Sequence, residues 1–380
     1  MNVEFNQDQK LMQQSAREFA EKFLKPVAKK LDETQEFPVE LIRKAAELGF
    51  MGVAIPEEYG GAGMDSVSYT IMMEEIARYC GSTSVILSVN NSLVCGPLLK
   101  YGTEEQKHKW LTPLAKGEKL GCYGLTEPNA GSDCAGTKTN AVDKGDHWLL
   151  NGAKIFITNG SNADTALVFA NTDPGKGNKG ISCFIVDMKS PGFSVKPMHG
   201  KMGIRASGLS ELVFEDVVVP KENLLGELNK GFKIAMTTLD GGRIGIAAQA
   251  IGLARGAFEE ALQYSKERVQ FGQAISNFQA IQFMLSDMGM KIDAARILTQ
   301  KAAWMKDMGQ NYNQQASAAK LFASEMATWV TNRAIQIHGG YGYTNEYNVE
   351  RYFRDARVCE IYEGTSEIQR LVVAANLLGR

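Results

Sequence analysis

The chain has 380 residues, of which 44% are hydrophobic and 22% charged, and its formal net charge is −2. This length and composition predict two or three soluble globular domains with ample core, and the near-neutral charge argues against a nucleic-acid-binding protein. The four histidines and six cysteines show neither metal-ligand spacing nor Cys-x-x-Cys pairs, so we predict no metal site and no disulfide framework.

Targeting, membrane and hydrolase signals are not apparent in the sequence. The N-terminal residues lack a basic segment followed by an apolar run, and we find no apolar run of membrane-spanning length. We therefore predict no signal peptide, no membrane span and a cytoplasmic location. A serine hydrolase is unsupported, because the sequence has no Gly-x-Ser-x-Gly motif.

Residues 1–120 are predicted to form an N-terminal helical domain. Apolar residues from Ala16 to Leu31 recur at spacings of three and four, as on the buried face of an amphipathic helix. Pro26 lies inside this pattern and is expected to kink the helix. The same period recurs from Tyr69 to Tyr79.

The period changes in residues 121–225, where short β-rich segments alternate with turns that contain glycine. Asn151-Gly152 lies between two such segments and is typical of a tight hairpin turn. Further predicted strands are Thr165 to Ala170, Ile181 to Val186 and Glu211 to Phe214. Because no helical pattern separates these strands, we predict a middle domain that is an antiparallel β-barrel or sandwich.

In residues 226–380 the pattern is helical again. Four long periodic segments predict helices, namely Phe232 to Arg268, Phe278 to Met305, Ala316 to Ile337 and Ser366 to Leu378. Long helices joined by short loops form bundles, so we predict a C-terminal domain resembling a four-helix bundle. The order of helices, sheet and helices indicates an α+β chain and not a doubly wound sheet.

Two segments of the middle region are candidates for ligand contacts. Gly175 to Gly180 matches Gly-x-Gly-x-x-Gly, but a predicted strand follows it where a dinucleotide fingerprint requires a helix, so we interpret it as a loop between strands. Leu125 to Asp133 joins a strand to irregular chain, and its turns can direct backbone N–H groups at a polar ligand. An ordinary Gly/Pro loop is the alternative, which the local pattern alone slightly favours.

Four further segments have both a structural and a functional interpretation. Phe156 to Gly160 ends a strand, and a simple turn explains it. Arg268 to Gly272 follows a long helix, where the guanidinium either complements the helix dipole or binds phosphate. Gln336 to Gly342 has more glycines than a helix cap needs. Asp240 to Arg243 places two glycines inside a helix, at about 1 kcal/mol each relative to Ala, which suggests a ligand or a close-packed chain.

The segment Tyr362-Glu363-Gly364 follows a basic stretch and precedes a predicted helix start at Thr365. A carboxylate beside a helix N-terminus, next to a glycine that permits close backbone approach, suits a buried catalytic base. A capped surface helix with an incidental glutamate is the alternative, and the local pattern alone favours it.

Taken together, these motifs resemble the acyl-CoA dehydrogenase family, and most closely its short-chain, butyryl-CoA members. The resemblance covers essentially the whole chain, including its order of helices, sheet and helices. Six segments carry it: Gly124 to Asp133, Ile157 to Asn159, Asp240 to Arg243, Arg268 to Gly272, Gln336 to Gly340 and Tyr362 to Ser366.

The resemblance implies an enzyme that uses FAD to oxidise the bond between the α and β carbons of an acyl-CoA thioester to give the enoyl-CoA. Glu363 matches the family's catalytic base, which removes the α proton while a hydride leaves the β carbon for the flavin. In the family, the backbone N–H of the base and a ribityl hydroxyl of FAD stabilise the developing enolate. A base in a water-poor pocket is expected to have a raised pKa.

The same resemblance implies the binding residues and partners. The residues expected to bind FAD are Tyr123, Leu125, Thr126, Gly131, Ser132, Phe156, Ile157, Thr158, Arg268, Phe271, Gln279, Gln336, Ile337, Gly339, Gly340, Thr365, Ser366 and Glu367. The residues expected to contact acyl-CoA are Ser132, Asp240, Gly241, Gly242, Arg243 and Gly364. Arg268 and Gln279 match positions that reach the FAD of a neighbouring subunit, which implies a homotetramer built as a dimer of dimers. Electron-transfer flavoprotein is the implied electron acceptor.

Two differences from related branches of the family narrow the expected catalytic base and the expected substrate class. Isovaleryl-type and long-chain-type members carry their base in the helix that holds Asp240 to Arg243, but this chain has Gly242 at the matching place, so Glu363 is expected to be the sole base. Glutaryl-type members hold a second carboxylate with an arginine near the segment that matches Ser84 to Ser92. That segment has no cation here, which disfavours a dicarboxylic substrate.

Two alternatives to a dehydrogenase stay open at this level. An acyl-CoA oxidase-like enzyme would pass its electrons to oxygen and release peroxide. A flavin-free helical scaffold would bind acyl-CoA or partner proteins and take up no FAD. The motifs do not fix the acyl group, which is straight, branched or cyclic, or the physiological direction of the reaction.

Overall fold

The computed structural model describes residues 4–379 and has a helical region, a sheet and a second helical region in that order. The predicted α+β class is therefore confirmed. The last N-terminal helix ends at Ala115, the sheet extends from Gly121 to Leu225, and the next helix begins at Gly231. The domain boundaries at 120/121 and 225/226 stay predictions.

The N-terminal region is helical, and its helix α4 is almost completely buried. The α-helices are α1 (Gln7–Phe19), α2 (Ala28–Thr34), α3 (Val39–Glu47), α4 (Ser66–Ala77), α5 (Gly81–Ser88), α6 (Gly96–Tyr101), α7 (Glu104–Gln106) and α8 (Thr112–Ala115). The helix predicted across Pro26 is broken, because a π-helical segment, Ala20–Leu24, ends before the proline and α2 restarts at Ala28.

Helices α5 and α6 are joined without a break by a π-helical segment, Val89–Cys95. The resulting run, Gly81–Tyr101, is long and apolar enough to cross a membrane by length and composition alone, so the prediction that no run reaches this length is wrong. However, 83% of its most apolar window is buried inside the protein, as in the core helix of a domain.

The middle region forms one large sheet. Its strands are β1 (Gly121–Gly124), β2 (Asn140–Asp143), β3 (His147–Thr158), β4 (Thr165–Asn171), β5 (Ile181–Asp187), β6 (Phe193–Pro197), β7 (Leu209–Pro220) and β8 (Leu224–Leu225). The strand order is β6-β7-β3-β2-β4-β5-β8, with β1 beside β4. Within residues 4–379 the two end strands do not pair, so the predicted barrel is not closed. The sheet is also mixed, because β4 pairs in parallel with both β1 and β2.

The hairpin predicted at Asn151-Gly152 is wrong. Strand β3 runs straight through these residues, with a shift in its register against β7 between Leu150 and Gly152. Gly152 has φ +142°, and a Cβ atom there would lie 2.7 Å from the Cα atom of Thr139. The glycine therefore permits a bulge and a close backbone approach, and the chain does not reverse. The Gly175 to Gly180 segment is a short 3₁₀ helix between β4 and β5, which agrees with a connection between strands.

The C-terminal region contains the four predicted helices and a fifth that the sequence pattern did not reveal. These are α9 (Gly231–Glu267), α10 (Gln279–Asp307), α11 (Asn313–His338), α12 (Val349–Arg357) and α13 (Ser366–Leu377). A two-stranded ribbon, β9 (Val269–Gln270) and β10 (Gln273–Ala274), follows α9. Helix α12 is short and polar on one face, so its pattern is weaker than that of the long helices.

Helix α9 joins the two helical regions through a row of glycines. A Cβ atom at Gly245 would lie 2.5 Å from the Tyr69 hydroxyl, and one at Gly252 would lie 2.7 Å from the Cβ atom of Ala77. These glycines let α4 approach α9 closely. Buried Glu75 on α4 accepts hydrogen bonds from Arg255 on α9, at 3.0 Å, and from α1. The two helical regions consequently share one core.

Candidate active site

A cavity of about 210 Å³ lies where the sheet meets both helical regions. Eleven of the predicted site residues, from four separate segments of the chain, line it: Tyr123, Leu125, Thr126, Gly131, Ser132, Phe156, Ile157, Thr158, Arg243, Glu363 and Gly364. The fold therefore brings together the motif after β1, the end of β3, helix α9 and the segment before α13.

Glu363 is presented to this cavity by an unusual backbone turn. Its φ angle is +53°, and that of Gly364 is +93°. A left-handed conformation is uncommon for a residue other than glycine and is often found at functional sites. Thr365 then caps α13, and its side chain accepts a hydrogen bond from the Ile368 N–H at 3.4 Å. The turn and the cap fix where the carboxylate emerges.

The carbonyl groups of this turn are bound on the side away from the cavity. The Lys320 ammonium, on α11, donates to the Gly364 carbonyl oxygen at 2.7 Å. The Gln369 side-chain amide, on α13, donates to the same oxygen at 2.8 Å and to the Glu363 carbonyl oxygen at 3.1 Å. In the described chain the Glu363 N–H forms no hydrogen bond, so it is available to a ligand.

The carboxylate of Glu363 is buried and unpaired. Its Oε2 atom is shielded from solvent and has no hydrogen-bond partner within residues 4–379. Burial raises the pKa of Glu363 to about 7, although the charges of Lys320 and Arg243 lower it. A carboxylate with this pKa is partly ionised near neutral pH, as an effective general base requires.

Helix α9 carries the remaining predicted substrate residues, and they do not all face this cavity. Gly242 lies directly against Glu363. The Arg243 guanidinium donates to Asp240 at 2.7 Å and to the Ser317 hydroxyl at 3.0 Å. Gly241 instead lines a neighbouring cavity of about 320 Å³, where a Cβ atom would lie 3.7 Å from the Lys306 ammonium.

The loop after β1 is held by a buried ion pair. The Lys154 ammonium, on β3, donates to the Glu127 carboxylate at 2.7 Å and to the Leu125 carbonyl at 3.1 Å, and Lys154 is fully buried. Glu127 also accepts from the backbone N–H groups of Lys138 and Thr139, at 2.7 and 2.9 Å. This network fixes both ends of the loop, whose turn leaves the Gly131 backbone open to a ligand.

Several features of the cavity fit a flavin. Phe156 is 59% exposed although it is aromatic, and its φ angle of +59° turns it out of β3 toward the cavity. An exposed ring at a cavity suits stacking against a planar ligand. The hydroxyl of Tyr123, which lines the cavity, is buried without a hydrogen-bond partner in the described chain, and such atoms normally have one.

The far wall of the cavity is apolar. Val85, Val89 and Leu93, from α5 and the π-helical segment, line it at intervals of four residues. On the other side the Tyr362 hydroxyl donates to Gln249, whose amide donates to the Gly81 carbonyl at 3.0 Å. No cation lies among Val85 to Leu93, so this wall suits an aliphatic group.

Four other predicted flavin residues line a second cleft, of about 510 Å³, at the far end of α11. It is lined by Arg268, Ile337, Gly339 and Gly340, among others. By the rise of an α-helix, this end is roughly 27 Å from Lys320 beside Glu363. Gln336 and Gln279 are exposed near this end of the bundle, and Phe271 is 94% exposed. Thus one chain does not bring the two groups of residues together.

The sequence pattern did not single out Lys320, Gln369, Lys154 or the wall of Val85 to Leu93 as site residues. A lysine among small and apolar residues, as in Ala318-Ala319-Lys320-Leu321, is the one signal available for Lys320. Lys154 carries a similar signal inside β3. Thr365 caps a helix, as the pattern predicted, and the flavin contacts of Thr365, Ser366 and Glu367 stay predictions.

Comparisons with known proteins show which family and which solved structures the chain resembles. Three family models match, described as the N-terminal, middle and C-terminal domains of acyl-CoA dehydrogenase, over residues 6–118, 122–217 and 229–378. The chain is 53% identical over 377 residues to the short-chain specific acyl-CoA dehydrogenase of Clostridium acetobutylicum, covering 99% of this chain and 100% of that protein. It is 51% identical to a caffeyl-CoA reductase–Etf complex subunit of Acetobacterium woodii, over 98% and 99% of the two chains. Its fold matches butyryl-CoA dehydrogenase of Megasphaera elsdenii with a TM-score of 0.98 and 48% identity, over 100% of both chains.

Proposed function

The chain belongs to the acyl-CoA dehydrogenase family, and from that premise we propose that it oxidises a short-chain acyl-CoA to the trans-2-enoyl-CoA with Glu363 as the sole α-proton base. Membership makes it an FAD-dependent oxidoreductase that acts on CH–CH bonds of acyl-CoA. The acyl length, the base and the partners are the parts that we propose.

The observation that carries the proposal is the buried, unpaired carboxylate of Glu363, in contact with a glycine of α9 at the cavity. An unpaired buried carboxylate is unfavourable for stability, so its presence in a cavity indicates a chemical role. The helical position used by other branches for their base is Gly242, which has no side chain to act in its place. Glu363 accepts the α proton on its Oε2 atom.

FAD, when bound, supplies the acceptor for the hydride that leaves the β carbon. Phe156 and the loop from Tyr123 to Ser132 would hold its ring system, and the buried hydroxyl of Tyr123 offers it a hydrogen bond. The free N–H of Glu363 donates to the thioester carbonyl and stabilises the negative charge that develops on its oxygen. Base and carbonyl donor therefore belong to one residue.

The apolar wall supports a short acyl chain. Val85, Val89 and Leu93 bound a cavity of about 210 Å³, which the flavin and the acyl group share. A wall without cations has no partner for a second carboxylate, so the substrate is a monocarboxylic acyl thioester. The short-chain relatives cover the entire chain at about half identity, which also favours a four-carbon substrate.

We also propose a homotetramer and an electron-transfer flavoprotein partner. The two groups of predicted flavin residues lie at opposite ends of α11, so a neighbouring chain is needed to bring Arg268 and Gln279 to a flavin. Exposed apolar side chains on α10 and α13, such as Phe283, Met290 and Leu371, suit an interface between chains. The Etf complex of the caffeyl-CoA reductase relative supports the electron acceptor.

The test is the reduction of bound flavin by acyl-CoA thioesters of increasing length, without oxygen. Butyryl-CoA is expected to bleach the flavin absorbance fastest, with a decline at six and eight carbons. Glutaryl-CoA is expected to be inactive. A preparation that takes up no FAD, or that prefers octanoyl-CoA over butyryl-CoA, would contradict the proposal. In air, rapid peroxide release would identify an oxidase.

A further inference from the structure

Lys320 is a buried cation without an acidic partner. It lies on α11, its relative exposure is 0%, and in the described chain its one hydrogen bond is to the Gly364 carbonyl oxygen, at 2.7 Å. Buried lysines are normally paired with a carboxylate, because an isolated charge is unfavourable in a protein interior. A lysine held in this state beside an active site therefore requires a reason.

The backbone turn at Glu363 supplies that reason. Two consecutive residues, Glu363 and Gly364, are in the left-handed region, and for Glu363 this conformation is unfavourable unless contacts compensate. Three hydrogen bonds from the Lys320 ammonium and the Gln369 amide converge on the two carbonyl oxygens of the turn. They bind both carbonyl oxygens of the turn, while Glu363 lines the cavity and its N–H has no partner in the described chain.

We propose that Lys320 is a positioning residue for the reaction: it holds the Gly364 peptide so that the carboxylate and the N–H of Glu363 meet the substrate together, and its charge favours the ionised base. The inference rests on the function proposed above. Lys320 acts through Gly364 and does not touch the reacting atoms. Gln369 shares the positioning but carries no charge.

The charge of Lys320 acts on Glu363 together with a small set of other groups. The titratable and charged groups that face Glu363 are Lys320 on α11, Arg243 on α9, Tyr69 on α4, Tyr123 on β1 and the adjacent Tyr362. Burial raises the pKa of Glu363, and only the two cations lower it. Burial also lowers the pKa of Lys320 to about 8, while Cys359 and Glu363 raise it. Near neutral pH the lysine is therefore still charged while the base ionises.

Two variants separate the effect of Lys320 on the position of the Glu363 turn from the effect of its charge on the base. Lys320→Met removes one hydrogen bond and the charge, whereas Gln369→Met removes hydrogen bonds to the same turn and leaves the charge. The rate of flavin reduction by butyryl-CoA is measured between pH 5.5 and 9. We expect both variants to be slower at every pH, by about tenfold or more. Only Lys320→Met should shift the acid limb of the pH–rate profile, to a pH about one unit higher, because the cation that favours ionised Glu363 is lost.

Ser324→Ala is the matched control. Ser324 is buried on the same helix one turn beyond Lys320, and its hydroxyl donates to the Leu321 carbonyl, away from Glu363. Its variant should keep the wild-type rate and profile. Lys320→Met with an unchanged acid limb would overturn the proposal. If Lys320→Met does not retain FAD, Gln369→Met tests the proposal in its place. A wild-type rate in Gln369→Met would then mean that the carbonyl contacts do not position the base, and the proposal would be overturned.

Failure of this inference is distinguishable from failure of the proposed function. If Glu363→Gln still reduces flavin at the wild-type rate, the base assignment is wrong and the role of Lys320 falls with it. If Glu363→Gln is inactive while Lys320→Met and Gln369→Met both behave as wild type, the assignment of Glu363 as the base is supported and Lys320 has no positioning role.

Discussion

Gly242 lies in contact with the carboxylate of Glu363. A Cβ atom at position 242 would overlap Glu363 Oε2 and would lie 2.9 Å from both Glu363 Cδ and Leu93 Cδ2. Glycine in the middle of α9 is unfavourable for the helix, by roughly 1 kcal/mol relative to alanine. The helix therefore keeps an unfavourable residue at a place where a side chain would displace the base.

Gly242→Ala should reduce flavin reduction by butyryl-CoA at least about a hundredfold, because the carboxylate must move from its position. Gly289→Ala, on α10, is the control, since a Cβ there meets only Phe258 at an ordinary 3.8 Å. The control should raise the thermal midpoint and keep the rate. A fully active Gly242→Ala enzyme would show that the base tolerates displacement.

Glu363→Gln should retain FAD and lose flavin reduction by acyl-CoA. Stopped-flow absorbance under anaerobic conditions measures the loss, and the flavin spectrum before mixing confirms that the cofactor is bound. Arg370→Gln offers a control nearby, because Arg370 is exposed and pairs with Glu325 on the surface. Rapid bleaching by the Glu363→Gln enzyme would exclude Glu363 as the base.

The same variant should be more stable than the wild type at alkaline pH. The pKa of Glu363 is about 7 in the folded chain, above its ordinary value of 4.5, so the folded state holds the proton more tightly than the unfolded state does. This contribution to stability is fully present below about pH 4.5 and is lost as the pH rises through 7. Glu363→Gln should thus gain up to about 3 kcal/mol at pH 8 relative to pH 4.5, by urea unfolding. A stability difference independent of pH would contradict the raised pKa.

Lys154→Met should weaken FAD binding, because it leaves the buried Glu127 carboxylate unpaired beneath the loop from Tyr123 to Ser132. Removing one partner of a buried ion pair typically destabilises a protein by about 3–5 kcal/mol. Flavin retention on dilution and a lower thermal midpoint are the measurements. Lys138→Met, with an exposed side chain in the segment between this loop and β2, should bind FAD normally. Adding Glu127→Gln to Lys154→Met should restore part of the loss, and a double variant as weak as the single one would argue against the pair.

Val89→Ala should shift the substrate preference toward longer acyl chains, because it removes two methyl groups from the apolar wall of the cavity. The ratio of kcat/KM for hexanoyl-CoA to that for butyryl-CoA should rise about tenfold. Val89→Ile is the opposing variant and should lower the ratio. If neither variant changes the ratio, the acyl group does not reach this wall.

The sequence predicted the helices well and the sheet less well. A long periodic pattern determines helices such as α9 and α11 locally, so their bounds differ from prediction by a few residues. The hairpin prediction at Asn151-Gly152 was wrong, because the glycine is required by the close approach of Thr139. In the sequence, such a glycine looks the same as one in a turn. Whether a sheet closes depends on pairing between distant strands, which no local pattern encodes.

The residues of the candidate site were also predicted only in part from the sequence. The motif segments identified the residues that line the cavity, including Glu363 and Phe156. Lys320 and Gln369 were not predicted, because each touches the turn only through a carbonyl contact that the fold creates. Arg268, Ile337, Gly339 and Gly340 share the second cleft, but one chain alone does not bring them to Glu363, and their contacts with flavin stay a prediction.

The π-helical segment Val89–Cys95 has a consequence for how acyl length can change in this fold. In an α-helix, residues four apart turn about 40° away from one another, so Val85, Val89 and Leu93 would drift around the helix. The wider π-helical turn, which typically marks one additional residue in a helix, keeps all three in line on the cavity. Deleting a single residue in this segment would restore the α-helical register and rotate the wall, so the pocket can be reshaped by a change in chain length where no side chain is substituted.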